Sequence, residues 1–336
     1  MLMRPFFLAV LSLWALSGSA AVVHEDTLSK KSSSVVVVNE PVKREFCSNV
    51  VGLINPKTSY NENYIFDHAL YDLGTDTLPQ IKFWRSIMNL HQDSAIMSIS
   101  SNRSIVQKVC AKQWDCQNDS VKKVYRDSVR LCRNLDSTHR VLFTAGKKFF
   151  YDFDKASQNF HRGINCFIDN GVDPWFAQAI LLIESPNKLQ KSNVGAYGPF
   201  QLMKDVARMY GLKVNKQIDE RADFDRSAYA ASSLIKRICI PLAHKMLDSL
   251  RINSYKEDEL WFRLLVMHIY HAGAYNVQNA LFASNPSEGN MSLIYNLWRT
   301  QTGRFKSASQ NYSQLIIAAM LEMNERKSSL LAVKSK

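Results

Sequence analysis

Glu184 closes the apolar run Ala177-Gln178-Ala179-Ile180-Leu181-Leu182-Ile183, and a glycine-bearing loop, Gly195-Ala196-Tyr197-Gly198-Pro199-Phe200-Gln201-Leu202-Met203, follows shortly after. A carboxyl group at the end of an apolar helix loses water, which disfavours its charged form. It then holds a proton near neutral pH, as a general acid must. An isolated Glu-Ser pair of this kind would more often just end a core helix beside a turn, so the surrounding pattern has to decide. The other nearby acids, Asp219, Glu220, Asp223 and Asp225, cluster around a loop and a helix start. There, capping and pairing with Arg221 or Arg226 account for them without catalysis. His268 and His271 lie three apart, with Cys239 and His244 elsewhere. No short-spaced set of three or four Cys and His ligands exists, so no metal is expected.

The elements that must position Glu184 are legible as helices. Asp173-Pro174 is an Asp cap followed by Pro at the first helical position. Trp175, Ala179, Leu182 and Ile183 form its buried stripe, and Pro186 ends it, leaving Glu184 in the last turn. A second helix is expected from Leu202 to Tyr210, stopping at Gly211. A third starts at Asp225 and ends before Pro241. The fourth, Glu257 to Tyr270, carries Trp, Phe, Leu and Val on more than one face and should be buried. Alternating patterns are scarce, so the fold class is mainly α. Residues 60–165 also read as helical, with Val121, Val124, Tyr125, Ser128, Cys132 and Leu135 on one face.

Taken in order, the motifs resemble one family. Glu184-Ser185, the 195–203 loop, Tyr210-Gly211-Leu212-Lys213-Val214, Ile218-Asp219-Glu220-Arg221, Tyr270-His271-Ala272-Gly273 and Asn311-Tyr312 are similar to the motifs of soluble-type lytic transglycosylases. The variant they most resemble is the membrane-bound-D type. The resemblance covers about residues 166–325. It implies a lysozyme-like, goose-type catalytic domain preceded by the helical N-terminal one. It also implies cleavage of the β-1,4 bond between N-acetylmuramic acid and N-acetylglucosamine, with no cofactor. Glu184 matches the single acid/base, which protonates the glycosidic oxygen and then accepts the proton of the sugar's own C6 hydroxyl. A 1,6-anhydro ring results, so the carboxylate pair of an ordinary glycosidase is not needed. Tyr270 matches a tyrosine beside the acid and is expected to be catalytic. Ser185, Gly198, Phe200, Gln201, His271 and Tyr312 match substrate-binding positions: Gln201 would hold an N-acetyl group, and Phe200 would wall the groove. Three departures stand out: a shorter loop after Glu184, His271 where Asn is customary, and Ala274-Tyr275 where Pro-Gly is common.

Met1 to Arg4, an apolar run from Pro5 to Leu16 and the small residues Ser17 to Ala21 describe a signal peptide cut after Ala20. Residues 21–59 read as a linker containing a lone strand at Val35–Val38, and 326–336 as a tail. Export to the periplasm or cell envelope makes the six cysteines compatible with disulfides, including a local closure of Cys110 onto Cys116. Their pairing stays open. The net charge of +12 and pI near 9.4 fit a partner bearing carboxylates or phosphates. Peptidoglycan strands and peripheral contact with an anionic membrane surface are therefore expected, and nucleic acid is not. Two other functions compete: a hydrolytic muramidase using the same Glu184, and a non-catalytic peptidoglycan-binding scaffold, which a groove blocked at Tyr275 would favour.

Overall fold

A computed structural model describes residues 50–54, 61–184 and 191–334. The expected signal peptide, the Val35–Val38 strand and Ser185 lie outside these residues. The first elements are a hairpin, β1 (Val50–Ile54) with β2 (Asn61–Ile65), then α1 (Ala69–Asp72) and α2 (Pro79–Asn89). Next come β3 (Ser94–Ile99), β4 (Ile105–Cys110), α3 (Ala111–Asp115), α4 (Asp119–Cys132) and β5 (Val141–Ala145). The remaining elements are helical: α5 (Phe153–Ser157), α6 (Phe160–Asp169), α7 (Trp175–Ile183), α8 (Lys204–Met209), α9 (Phe224–Leu234), α10 (Ile240–Ser249), α11 (Leu260–Ala272), α12 (Ala274–Ser284), α13 (Met291–Arg299) and α14 (Ser307–Lys334).

Helix α7 is the axis of the main body, and all of Trp175–Ile183 is buried. Asp173 starts it as expected, its Oδ1 accepting from the Trp175 N–H at 2.9 Å. A helix buried on every side cannot leave a polar side chain unpaired. Gln178 meets this demand by pairing with a strand: its Oε1 accepts from the Ile65 N–H at 2.7 Å and its Nε2 donates to the Ile65 carbonyl at 2.9 Å. Trp175 Nε1 likewise donates to buried Asp67 at 2.8 Å. Strand β2 and the segment after it are thus stitched to the helix that carries Glu184.

Helix α11 meets its expectation, with Leu260–Ile269 buried throughout. Between α9 and α10 the expectation fails, because Pro241 does not stop the helix. A π-turn at Ile235–Cys239 leads directly into α10, and this widened turn accommodates Pro241, the second residue of α10, within a continuous helical run.

The border expected at residue 165 is not a border of the core. Phe83, Ile87, Phe153, Phe160 and Ile164 share one hydrophobic core with Ile180, Leu182, Leu264 and Ile317. The reading of 60–165 as a helical domain is corrected in a second way, since 94–145 forms a three-stranded antiparallel sheet, order β4-β3-β5, with α3 and α4 against it. Strand β3 hides the alternation that would have betrayed it because both of its faces are covered. Ile96 enters the main core, while Met97 and Ile99 join Trp114, Val129 and Val141 in a small core of the lobe. Helix α4 presents only part of the expected face to the lobe's core, since Tyr125 and Leu135 pack there. Val129 is buried, whereas Val121, Val124, Ser128 and Cys132 are exposed, because the small sheet covers only one side of the helix.

Cys110, Cys116, Cys132, Cys166 and Cys239 are free thiols. Cys110 and Cys116 bracket α3, and six residues of helical rise set them about 9 Å apart, beyond the roughly 7 Å that a disulfide spans. The local closure is thereby excluded.

Candidate active site

Helix α7 delivers Glu184 to a place where protein surrounds the carboxyl while part of the residue stays open to solvent, the condition of a cleft floor. Tyr312, on α14, donates its phenol O–H to Glu184 Oε1 at 2.7 Å. Burial pushes the Glu184 pKa up to about 7, and the Tyr312 hydrogen bond opposes part of that rise. Among the described residues, the phenols of Tyr151, Tyr270 and Tyr312 feel the Glu184 charge. Desolvation and that charge together push all three above the ordinary tyrosine value. Tyr151 had no signal in the sequence, since it sits in the aperiodic aromatic run Phe149-Phe150-Tyr151.

The two tyrosines exchange their expected places. Tyr312, matched only to a substrate-binding position, is the one that touches the acid. Tyr270 instead donates to the Phe200 carbonyl at 2.6 Å and so ties α11 to the glycine loop. His271 lays its ring over Tyr312, with centroids 4.0 Å apart and planes 18° from parallel, and keeps one side exposed. Behind this layer, Trp298 Nε1 donates to Ser313 Oγ at 2.7 Å, and that hydroxyl lies 2.8 Å from His268 Nε2. Indole nitrogen can only donate, so Ser313 Oγ accepts from Trp298, and the direction of its bond to His268 follows the imidazole tautomer. Burial lowers the His268 pKa to about 3, leaving the imidazole neutral and pinning α14 to α11 and α13.

The glycine loop is closed by an antiparallel bridge, Tyr197 N–H to the Leu202 carbonyl at 3.1 Å and Leu202 N–H back to Tyr197 at 3.0 Å. Gly198 has φ +89°, and a Cβ there would lie 1.8 Å from the Arg221 carbonyl oxygen, so no other residue fits. Gln201 also has positive φ, +45°, and its Nε2 donates to the Gly198 carbonyl at 3.0 Å. Buried Arg221 holds the loop from below, donating to the Gly195 carbonyl at 2.8 Å and the Leu202 carbonyl at 2.9 Å. Its other nitrogens grip both oxygens of Asp219. The downstream acids have structural partners as expected. Asp223 caps α9, Glu220 pairs with Arg226 at 3.0 Å, and Asp225 pairs with Arg162 at 2.7 Å.

One expected contact is overturned. The Phe200 ring is fully buried against Phe167 and Phe224, so it walls no groove; only its backbone carbonyl serves the site. Tyr275, by contrast, is 74% exposed at the start of α12.

Residues 168–290 match the family model described as the transglycosylase SLT domain. The chain carries an SLT domain. Such a domain indicates a lytic transglycosylase, an enzyme acting on peptidoglycan, and the mainly α, lysozyme-like fold agrees with it. No curated protein matches the chain. The matched span of the SLT domain holds Glu184, the glycine loop, Tyr270 and His271. Tyr151 and Tyr312, which complete the surroundings of the acid, come from outside it.

Proposed function

We propose that Glu184 is the acid/base of a reaction that cleaves the β-1,4 bond between N-acetylmuramic acid and N-acetylglucosamine and leaves a 1,6-anhydromuramic end. Glu184 donates its proton to the glycosidic oxygen as the bond to C1 breaks. The carboxylate then takes the proton of the muramic acid C6 hydroxyl while that oxygen bonds to C1, so no water enters the product. The observation that carries this reading is that, among the described residues, burial and the Tyr312 hydrogen bond set the Glu184 pKa, near 7, and no second carboxylate contributes. A one-carboxylate mechanism needs a group that is half protonated at neutral pH and can act in both directions. Tyr312 occupies one carboxyl oxygen, which leaves the other to carry the proton.

Within this reading, Gln201 on its glycine-supported turn holds an N-acetyl group, and Tyr270 keeps the loop in register with the acid by its bond to Phe200. Export to the cell envelope, where the substrate lies, belongs to the same proposal. Mass spectrometry of digested sacculi tests it. Products lighter by one water than the reducing-end fragments are expected, and reducing-end fragments alone would assign Glu184 to a hydrolytic muramidase.

A further inference from the structure

The lobe formed by 94–145 takes no part in the chemistry described above, yet it holds a cleft of about 420 Å³ lined by Arg126, Arg130, Arg140, Val141, Leu142 and Phe143. Arg126 and Arg130 project from α4; Val141, Leu142 and Phe143 are consecutive along β5, and Arg140 immediately precedes them. Successive side chains of a strand point to opposite faces, so consecutive residues line a cleft together only where the strand presents its edge. β5 is such an edge, being last in the order β4-β3-β5. The ladder shows which of its groups face outward. Ser100 N–H donates to the Arg140 carbonyl at 2.8 Å, and Gly146 N–H donates to the Ser94 carbonyl at 2.9 Å. Even-numbered residues of β5 therefore pair inward, and antiparallel alternation turns the N–H and C=O of Val141 and Phe143 toward the open edge.

The guanidinium groups are partly preset. Arg126 lies 5.6 Å over the Trp114 ring, which itself stacks on Phe143, and Arg130 pairs with Asp127. Asp127 is shared with Lys123 at 2.7 Å, so it does not cancel the cleft's charge. Arg140 is exposed, and among the described residues neither it nor Arg126 pairs with a carboxylate.

The geometry points to a binding site for an extended, carboxylate-bearing peptide, namely the peptide stems of the glycan strand. The peptide would add to the edge of β5 while its carboxylates are gripped by Arg126 and Arg140. Planar guanidinium forks match carboxylates two bonds at a time, and an open strand edge matches an extended backbone. A membrane surface fits less well, because the charges line a recess beside a strand edge rather than a flat face. The inference rests on the reading that the substrate is peptidoglycan, but not on the identity of the acid.

The test measures binding of the full-length protein to glycan strands bearing their peptides and to the same strands stripped of peptide. The Glu184→Gln background prevents turnover, and Arg126→Gln/Arg140→Gln is added to it. Affinity for peptide-bearing strands should fall about tenfold, the effect of losing two half-exposed charge pairs, while affinity for bare strands stays within about twofold. Cleavage of bare strands by Arg126→Gln/Arg140→Gln with Glu184 intact should be unchanged, which separates failure of this site from failure of the catalytic reading. Should the double variant unfold, Arg140→Gln alone, on an exposed side chain, should lose about threefold on peptide-bearing strands only. Equal losses on both strand types, no loss on either, or a loss seen only with vesicles of anionic phospholipid would overturn the assignment.

Discussion

The main body and the 94–145 lobe treat the same kinds of residue in opposite ways. Around α7, burial is nearly complete, and its product is a carboxyl held at a pKa near 7 and phenols that stay protonated. In the lobe, three strands and one long helix cannot enclose a comparable core. Val124 and Leu131 face solvent, the latter 78% exposed, and Arg140 keeps its hydration. Enclosure converts ionisable groups into acids and donors with shifted protons, whereas a thin lobe leaves them as full charges for recognition.

The sharpest way to break that contrast is to remove the enclosed proton. Glu184→Gln should lower turnover of sacculi by at least about a hundredfold, the contribution of a positioned general acid, with binding nearly intact. Turnover within tenfold of the parent would show that enclosure of this carboxyl serves structure only.

Stability effects come next. Gly198→Ala puts a methyl group into the Arg221 carbonyl at a φ of +89° and should cost about 2–4 kcal/mol. Leu182→Ala, in the closed core, should cost about 2–5 kcal/mol. Urea midpoints at constant m-value would check both.

The pH dependence of stability follows from the Glu184 shift, and its sign is definite. The folded pKa, about 7, lies above the model-peptide value of 4.5, so folding favours the protonated form. Below both values there is no penalty. As pH rises from about 4.5 to about 7 the unfolded chain ionises first, and the fold loses up to about 3 kcal/mol before levelling off. Glu184→Gln should lack this loss, so it should gain on the parent across that window. A variant less stable than the parent at pH 7 would mean that partners hold Glu184 ionised.

Tyr312→Phe probes a finer element of the same enclosure. The phenol stabilises the carboxylate, so its removal should raise the Glu184 pKa further and move the alkaline limb of the kcat profile upward. An unmoved limb would detach Tyr312 from the acid. The smallest effect is expected in the lobe. Val124→Ala, on an exposed face, should change stability by no more than about 0.5 kcal/mol, and a larger loss would show that the face is covered.

Much of this molecule was legible before folding. Local chemistry sets the start of α7 at Asp173-Pro174, the buried character of α11 and the candidacy of Glu184. Each depends on residues close in sequence, where caps and apolar runs act. What enclosed Glu184 was not legible in this way. Tyr312 reaches it from 128 residues away, Tyr151 arrives from an aperiodic run, and Phe200 turns inward because Phe167 and Phe224 receive it. The lobe stayed hidden for the complementary reason that β3 is covered on both faces and so shows no alternation. Sequence alone determined which residues could carry a proton and which helices would present them. Only the tertiary structure decided which of them lost water, because desolvation sums over atoms that chain order keeps far apart.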